Sequence, residues 1–231
     1  MIQNPEASAI FLSLLIGVCA VVLGIVPGVA LAWLLSRRKF PGKALVETAV
    51  FLPLVIPPVV TGFLLLKLFS QQSVLGGLLA DLGIRVIFSW TGMAIASAVM
   101  GFPLLVRTVR GALESVNPRL EATARTLGCS PLRTFFAVTL PLCWPGIVAG
   151  SVLCFARALG EFGATAMVSA GTPGNRTIPL EIFHHYQTPG HEAEVLRLVV
   201  ISLTLSALAL VASETLIARS GTTRFGERQG G

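Results

Sequence analysis

Charge is what this chain of 231 residues has least of. Only 12% of it is Asp, Glu, Lys or Arg, where a soluble domain carries roughly 25%. With 54% hydrophobic residues and a mean hydropathy of +0.81, too few polar side chains remain to cover a water-exposed surface. A soluble globule is excluded, and a disordered chain more firmly still. Cysteine is sparse as well: four in a chain this long exclude a disulfide-built secreted scaffold. Cys19, Cys143 and Cys154 fall in or beside apolar runs and Cys129 in a basic stretch, so no disulfide is expected. They read as small, inert fillers. No glycine-rich loop closes on Gly-Lys-Ser or Gly-Lys-Thr, and the glycine pairs at 160–163 and 171–174 do not fit that pattern. The chain is therefore expected to lack a phosphate cradle of its own.

Long apolar runs are what it has instead. A transmembrane helix needs about 20 mostly apolar residues. Runs over residues 10–35, 44–69, 88–109, 142–168 and 195–217 predict five spans. The first has no Lys or Arg before its core, unlike a cleaved signal peptide. The expected fold is all-α and polytopic. Residues 1–217 form a single transmembrane domain, and a loose tail over 218–231 is dominated by Gly, Thr and Arg.

Basic residues fix the orientation. Segments 36–43, 107–141 and 218–231 hold Arg37, Arg38, Lys39 and Lys43, then Arg107, Arg110, Arg119, Arg125 and Arg133, then Arg219, Arg224 and Arg228. These are most of the 17 basic residues; only Arg85 and Arg176 fall in the opposite loops. The positive-inside bias then puts the N-terminus outside and the C-terminus inside. Trp33 and Trp144 fall at inner boundaries and Trp90 at an outer one, as interfacial anchors should. The net charge of +6 and pI of 9.8 thus record membrane orientation, not nucleic-acid binding.

Two spans are irregular. Pro27-Gly28 predicts a kink in the first. The second carries Pro53, Pro57 and Pro58, each without a backbone donor. The freed carbonyls need partners from neighbouring helices, from Thr61 or from water in a cavity. Such a helix lines a pathway or bends during gating; the alternative is a static kink in a packed bundle.

The basic segment 107–141 is too ordered for a connector. Asn117-Pro118 is a helix start, Gly128 suits a left-handed residue past that helix, and Ser130-Pro131 is a second start. A short helix, a glycine turn and a second helix leading into the fourth span are expected. Leu120, Ala124 and Leu127 form an apolar stripe on the first helix, flanked by Arg119 and Arg125. It docks a soluble protein or lies on the membrane surface.

This stretch resembles the signature loop of ABC-importer permeases: Glu-Ala-Ala, three residues, Gly, nine residues, Ile, one residue, Leu-Pro. Gly128 is the glycine, Val138 stands for the isoleucine, and Leu140-Pro141 close the motif. The two alanines fall on Thr123 and Ala124. The glutamate position falls on Ala122, with Glu121 one residue earlier. The resemblance narrows to the oxyanion branch at residues 155–164. It narrows to its molybdate permeases at 52–62, 88–92, Arg176-Thr177-Ile178-Pro179 and Gln187-Thr188-Pro189-Gly190. It implies a type I importer permease, a multi-pass protein of the bacterial cytoplasmic (inner) membrane. A homodimer is implied, with two copies of a separate ATPase chain on the coupling helix. A periplasmic or extracytoplasmic binding protein delivers molybdate, or tungstate, from above. No cofactor is bound directly, since ATP belongs to the partner, and no nucleic acid is involved. Sulfate or thiosulfate cargo is the alternative, and an assembly protein without transport a further one.

Arg157 and Glu161 are the charged residues well inside a predicted span, at i and i+4. Either Arg157 offers a passing oxyanion a transient partner that Glu161 tempers, or the two neutralise each other in packing. Glu181, His184 and His185 have metal-ligand spacing. The plainer reading of residues 178–186 is an amphipathic outer helix, within a loop (169–193) suited to docking the delivering partner.

Overall fold

The computed structural model describes residues 5–222, and every regular element among them is a helix. In chain order these are α1 (Pro5–Arg37), α2 (Lys43–Val55), α3 (Pro58–Phe69), α4 (Val74–Asp81), α5 (Trp90–Ser115) and α6 (Pro118–Thr126). There follow α7 (Pro131–Thr134), a π-helical turn (Phe135–Thr139), α8 (Leu140–Leu159), α9 (Gly163–Val168), α10 (Ile178–Tyr186) and α11 (Glu192–Thr222). Helices α1 and α5, the continuous run Pro131–Leu159 and α11 are each long and apolar enough to cross a membrane; α2 and α3 together make a fifth, bent crossing.

That bend is 115°, and the sequence explains it. A residue before proline is driven out of the helical region. Here both Ile56 and Pro57 precede a proline, and both are extended (ψ 138° and 133°). Pro58 then starts α3, where its missing N–H costs nothing. The second span is thus two helices meeting at an elbow. Pro27, by contrast, does not interrupt α1, which continues through it.

The fourth span also differs from expectation. It starts at Pro131, stops at Leu159 and resumes as the short α9; it is not one helix over 142–168. Likewise α5 continues to Ser115, which places Arg107 and Arg110 on a helix and not in a loop. Helix α11 extends through Thr222; the rest of the expected tail, residues 223–231, lies outside the described residues.

Helix α5 is the centre of the bundle and packs against α1 and α8, while α3 packs against α9 and α11 against α8 and α10. On the orientation set by charge, an inner core layer joins Leu35, Leu105, Val109, Leu113 and Ile147. An outer layer joins Ile16, Met93, Met100, Ala164 and Val168. Membrane helices approach through small residues. Gly62 shows why: a Cβ there would lie 2.7 Å from the Ala164 carbonyl oxygen. All four cysteines are free.

Candidate functional site: a coupling loop and two broken helices

The inner loop folds as its local chemistry dictates. The Asn117 side chain accepts a hydrogen bond from the Arg119 N–H at 3.0 Å and caps α6. Gly128 turns the chain at φ 88°, and Ser130 caps α7 by accepting from the Arg133 N–H. The π turn follows directly. Its Leu140 N–H donates to the Phe135 carbonyl, five residues back. A proline ring collides with the carbonyl four residues before it in a regular helix; the wider turn makes room for Pro141. The Val138, Leu140 and Pro141 positions thus mark a built-in irregularity at the base of a membrane helix.

Helix α6 offers its apolar residues outward: Leu127 is 80% and Leu120 48% exposed, with Ala124 half-buried and Ala122 and Thr123 exposed. Its opposite side is fastened. One oxygen of Glu121, Oε1, accepts from Arg37 Nη2 of α1 at 2.8 Å and from Thr139 Oγ1 of the π turn at 2.8 Å. The acid one residue before the motif position is therefore an internal clasp. It ties α6 to the ends of two membrane-crossing helices. Arg110 adds a second tie on this side, pairing with Glu47 of α2 and Glu114.

The second region lies where both broken helices meet. A Cβ on Gly163 would come within 2.9 Å of the Pro58 Cβ and 3.1 Å of the Val59 N, so the elbow of α2 and α3 abuts the break between α8 and α9. Thr61 is buried beside it. Arg157 and Glu161 do pair, with Nη1 to Oε2 at 2.6 Å, but not across one helix face. Arg157 stands in the last turn of α8, whereas Glu161 lies beyond its end at Gly160. The other carboxylate oxygen of Glu161 accepts from the Ala164 N–H at 2.7 Å. Each charge complements a helix end: a cation at the C-terminus of α8 and an anion at the N-terminus of α9. Glu161 is 1% exposed and the Arg157 side chain 27%. An acid this deeply buried needs both partners.

The outer loop has its own anchor. Arg176 Nε donates to the Gly171 carbonyl at 2.7 Å and Nη1 to Glu181 Oε2 at 3.3 Å. Thr177 precedes α10, with Pro179 in its first turn, and the Ile178 N–H donates to Ser13 Oγ of α1 at 2.8 Å. Gln187 and Pro189 are exposed beyond the helix. Glu181 also meets His185 Nε2 at 3.3 Å. No group of three metal-binding side chains converges among the described residues, and residues 178–186 form the helix α10.

The structure brings Pro57, Pro58, Thr61, Arg157 and Glu161 to one locality and the residues of the inner loop to another. Sequence reasoning missed Arg37, Thr139 and Ala164. Arg37 and Thr139 are polar neighbours of the loop that any buried acid on α6 would seek. Ala164 acts through its backbone and leaves no signal in its side chain.

Residues 20–221 match the family described as binding-protein-dependent transport system inner membrane component. The chain is 48% identical over 228 residues to the molybdenum transport system permease protein ModB of Escherichia coli (strain K12), covering 98% of this chain and 99% of that protein. It is 44% identical over 216 residues to ModB of Haemophilus influenzae, covering 93% and 94%. It is 40% identical to the sulfate transport system permease protein CysW of Synechococcus elongatus, covering 92% and 74%. Among solved structures, a bacterial alginate ABC transporter has the same fold (TM-score 0.73, 17% identity, 94% of this chain and 80% of that one). So does the MetNI methionine ABC transporter (TM-score 0.70, 19% identity, 95% and 99%). With the match spanning nearly the whole chain, this protein belongs to the inner membrane components of binding-protein-dependent transport systems.

Proposed function

We propose that this chain is the permease subunit of an ATP-driven importer that carries molybdate, and the closely similar tungstate, inward across the cytoplasmic membrane. The observation that carries the reading is the build of α6, which presents Leu120 and Leu127 outward while Glu121 is clasped to α1 and to the π turn. That is the geometry of a lever: one side grips a soluble partner and the other pulls on two membrane helices. The partner is a separate ATPase chain, two copies serving a homodimer of this one. Residues 1–217 act as one transmembrane domain in each protomer. The molybdenum relatives match end to end, whereas the chain covers 74% of the sulfate relative; this supports molybdate over sulfate.

The outer loop around Arg176, Thr177, Pro179, Gln187 and Pro189 receives the extracytoplasmic binding protein that delivers the anion. ATP-driven closure of the ATPases moves α6, and the clasp passes that motion to α1 and α8. The elbow of α2 and α3 and the break between α8 and α9 give the bundle two points at which to bend. Within that region Glu161 is a positioning residue, held by a backbone N–H, and the partly exposed Arg157 is the transient partner of the anion. Co-purification from detergent tests the lever. The ATPase chain is expected to come with the unaltered protein and to be lost with Leu127→Asp. Recovery of the ATPase with that variant would overturn the reading.

A further inference from the structure

Two outer cations have an acid: Arg176 pairs with Glu181, and Arg197 with Glu6 and Glu194. Lys67 and Arg85 do not. Neither takes part in any ion pair among the described residues. Lys67 rests over the Phe63 ring at 5.8 Å, which leaves its ammonium donors free. Both residues line one cavity of about 510 Å³, together with Ser70, Gln71, Gln72 and the segment 84–88 that carries Arg85. No carboxylate lines it. At ~30 Å³ per water, it has room for a tetrahedral anion with its first water layer.

The cavity wall is strained and tied inward. Phe88 has φ 59°, the one positive value at a non-glycine residue among those described. A bulky side chain rarely adopts this, and such strain collects at functional positions. It is held there by the Phe88 N–H, which donates to the Val168 carbonyl at the end of α9 at 2.9 Å. Helix α9 is the one whose start Glu161 caps. Helix α3 likewise spans both places, with Thr61 at the elbow and Lys67 in its last turn. Six residues of helix separate the two, about 9 Å along the axis at 1.5 Å per residue.

We propose that the outer cavity between the end of α3, α4 and residues 84–88 is an oxyanion site. Lys67 and Arg85 supply the charge, and the site holds the anion above the elbow before it moves inward. A cavity with two cations and no acid focuses an attractive field for an anion. The glutamine side chains add neutral donors that do not trap it. The inference rests on the importer reading for the identity of the anion, not for its charge or shape. The same chemistry could be met by a free tetrahedral oxyanion or by the phosphate of an anionic lipid.

The test uses the full chain with its co-expressed ATPase in nanodiscs, without nucleotide. Binding of radiolabelled molybdate is measured in discs of phosphatidylcholine alone. Retained phosphatidylglycerol is measured by native mass spectrometry in mixed discs. The double variant Lys67→Gln, Arg85→Gln is expected to bind molybdate at least tenfold more weakly, each single variant falling between, with unchanged melting and gel-filtration behaviour. Loss of retained phosphatidylglycerol with unchanged molybdate binding would keep the oxyanion site and assign it to lipid phosphate. If the unaltered protein binds labelled sulfate and not molybdate, and the double variant loses it, the molybdate reading fails while the site stands. Unchanged molybdate, sulfate and lipid binding in a well-folded double variant overturns the inference.

Discussion

The coupling loop and the helix-break region are both departures from regular membrane helix, but they are built in opposite ways. In the loop the apolar residues point out and a single acid holds the element down. In the break region the buried acid is held from within, Glu161 by the Ala164 N–H and Arg157, and Gly62 and Gly163 leave no room for a side chain where α3 and α9 meet. On the proposed function, the first is irregular so that the ATPase chain can hold it. The second is irregular at a depth where unpaired backbone is expensive, and so it had to be closed by tertiary contacts. Changes in the second region should therefore unfold the protein, and changes in the first should uncouple it.

The largest expected effect on stability is Glu161→Ala. It leaves the Arg157 guanidinium without its acid and the Ala164 N–H without its acceptor. Removing one member of a buried pair costs about 3–5 kcal/mol. Thermal unfolding in detergent should show a large drop and poor recovery of monodisperse protein; a near-normal melting curve would dissolve the contrast. Arg157→Gln keeps the Glu161 bond to Ala164 and offers the buried acid an amide N–H in place of the guanidinium, so it should cost less stability than Glu161→Ala, and uptake is compared in the fraction that folds. Loss of uptake in that folded variant supports its place on the route of the anion.

Gly62→Leu comes next, at about 1–3 kcal/mol for overpacking, because α3 cannot stay against α9 with a side chain 2.7 Å from a carbonyl. Glu121→Gln should cost about 1 kcal/mol through the Arg37 pair. It should lower uptake at equal protein amount, since α6 then pulls less directly on α1. Leu127→Asp should shift stability by less than about 0.5 kcal/mol, as exposed substitutions do, yet abolish uptake and ATPase capture. A variant of unaltered stability with no transport is the sharpest form of the contrast.

What the sequence disclosed follows from where the causes lie. Asn117, Gly128 and Ser130 act on backbone groups within a few residues, so the loop was legible in one pass. The helix at Ile178–Tyr186 and the interruption at Pro57 and Pro58 were legible for the same reason, although Pro53 lies within the continuous α2. The end of α8 was not: residues 142–168 are mostly apolar, and the gap is held by Glu161 meeting the Ala164 N–H and Arg157, contacts that no apolar pattern announces. The pairing of Arg157 with Glu161 was read correctly, but the helical face assumed for it was not. Glu121 was noticed as a displaced motif residue; its partner Arg37 stands 84 positions away, beyond the reach of any local pattern.

The most direct measurement is uptake of labelled molybdate in cells lacking this chain and in the same cells given it back, with tungstate and sulfate as competitors. Restoration of ATP-dependent uptake is expected, suppressed by tungstate and little affected by equal sulfate. Uptake that stays absent on restoration, or that sulfate suppresses as strongly as tungstate does, would contradict a molybdate permease.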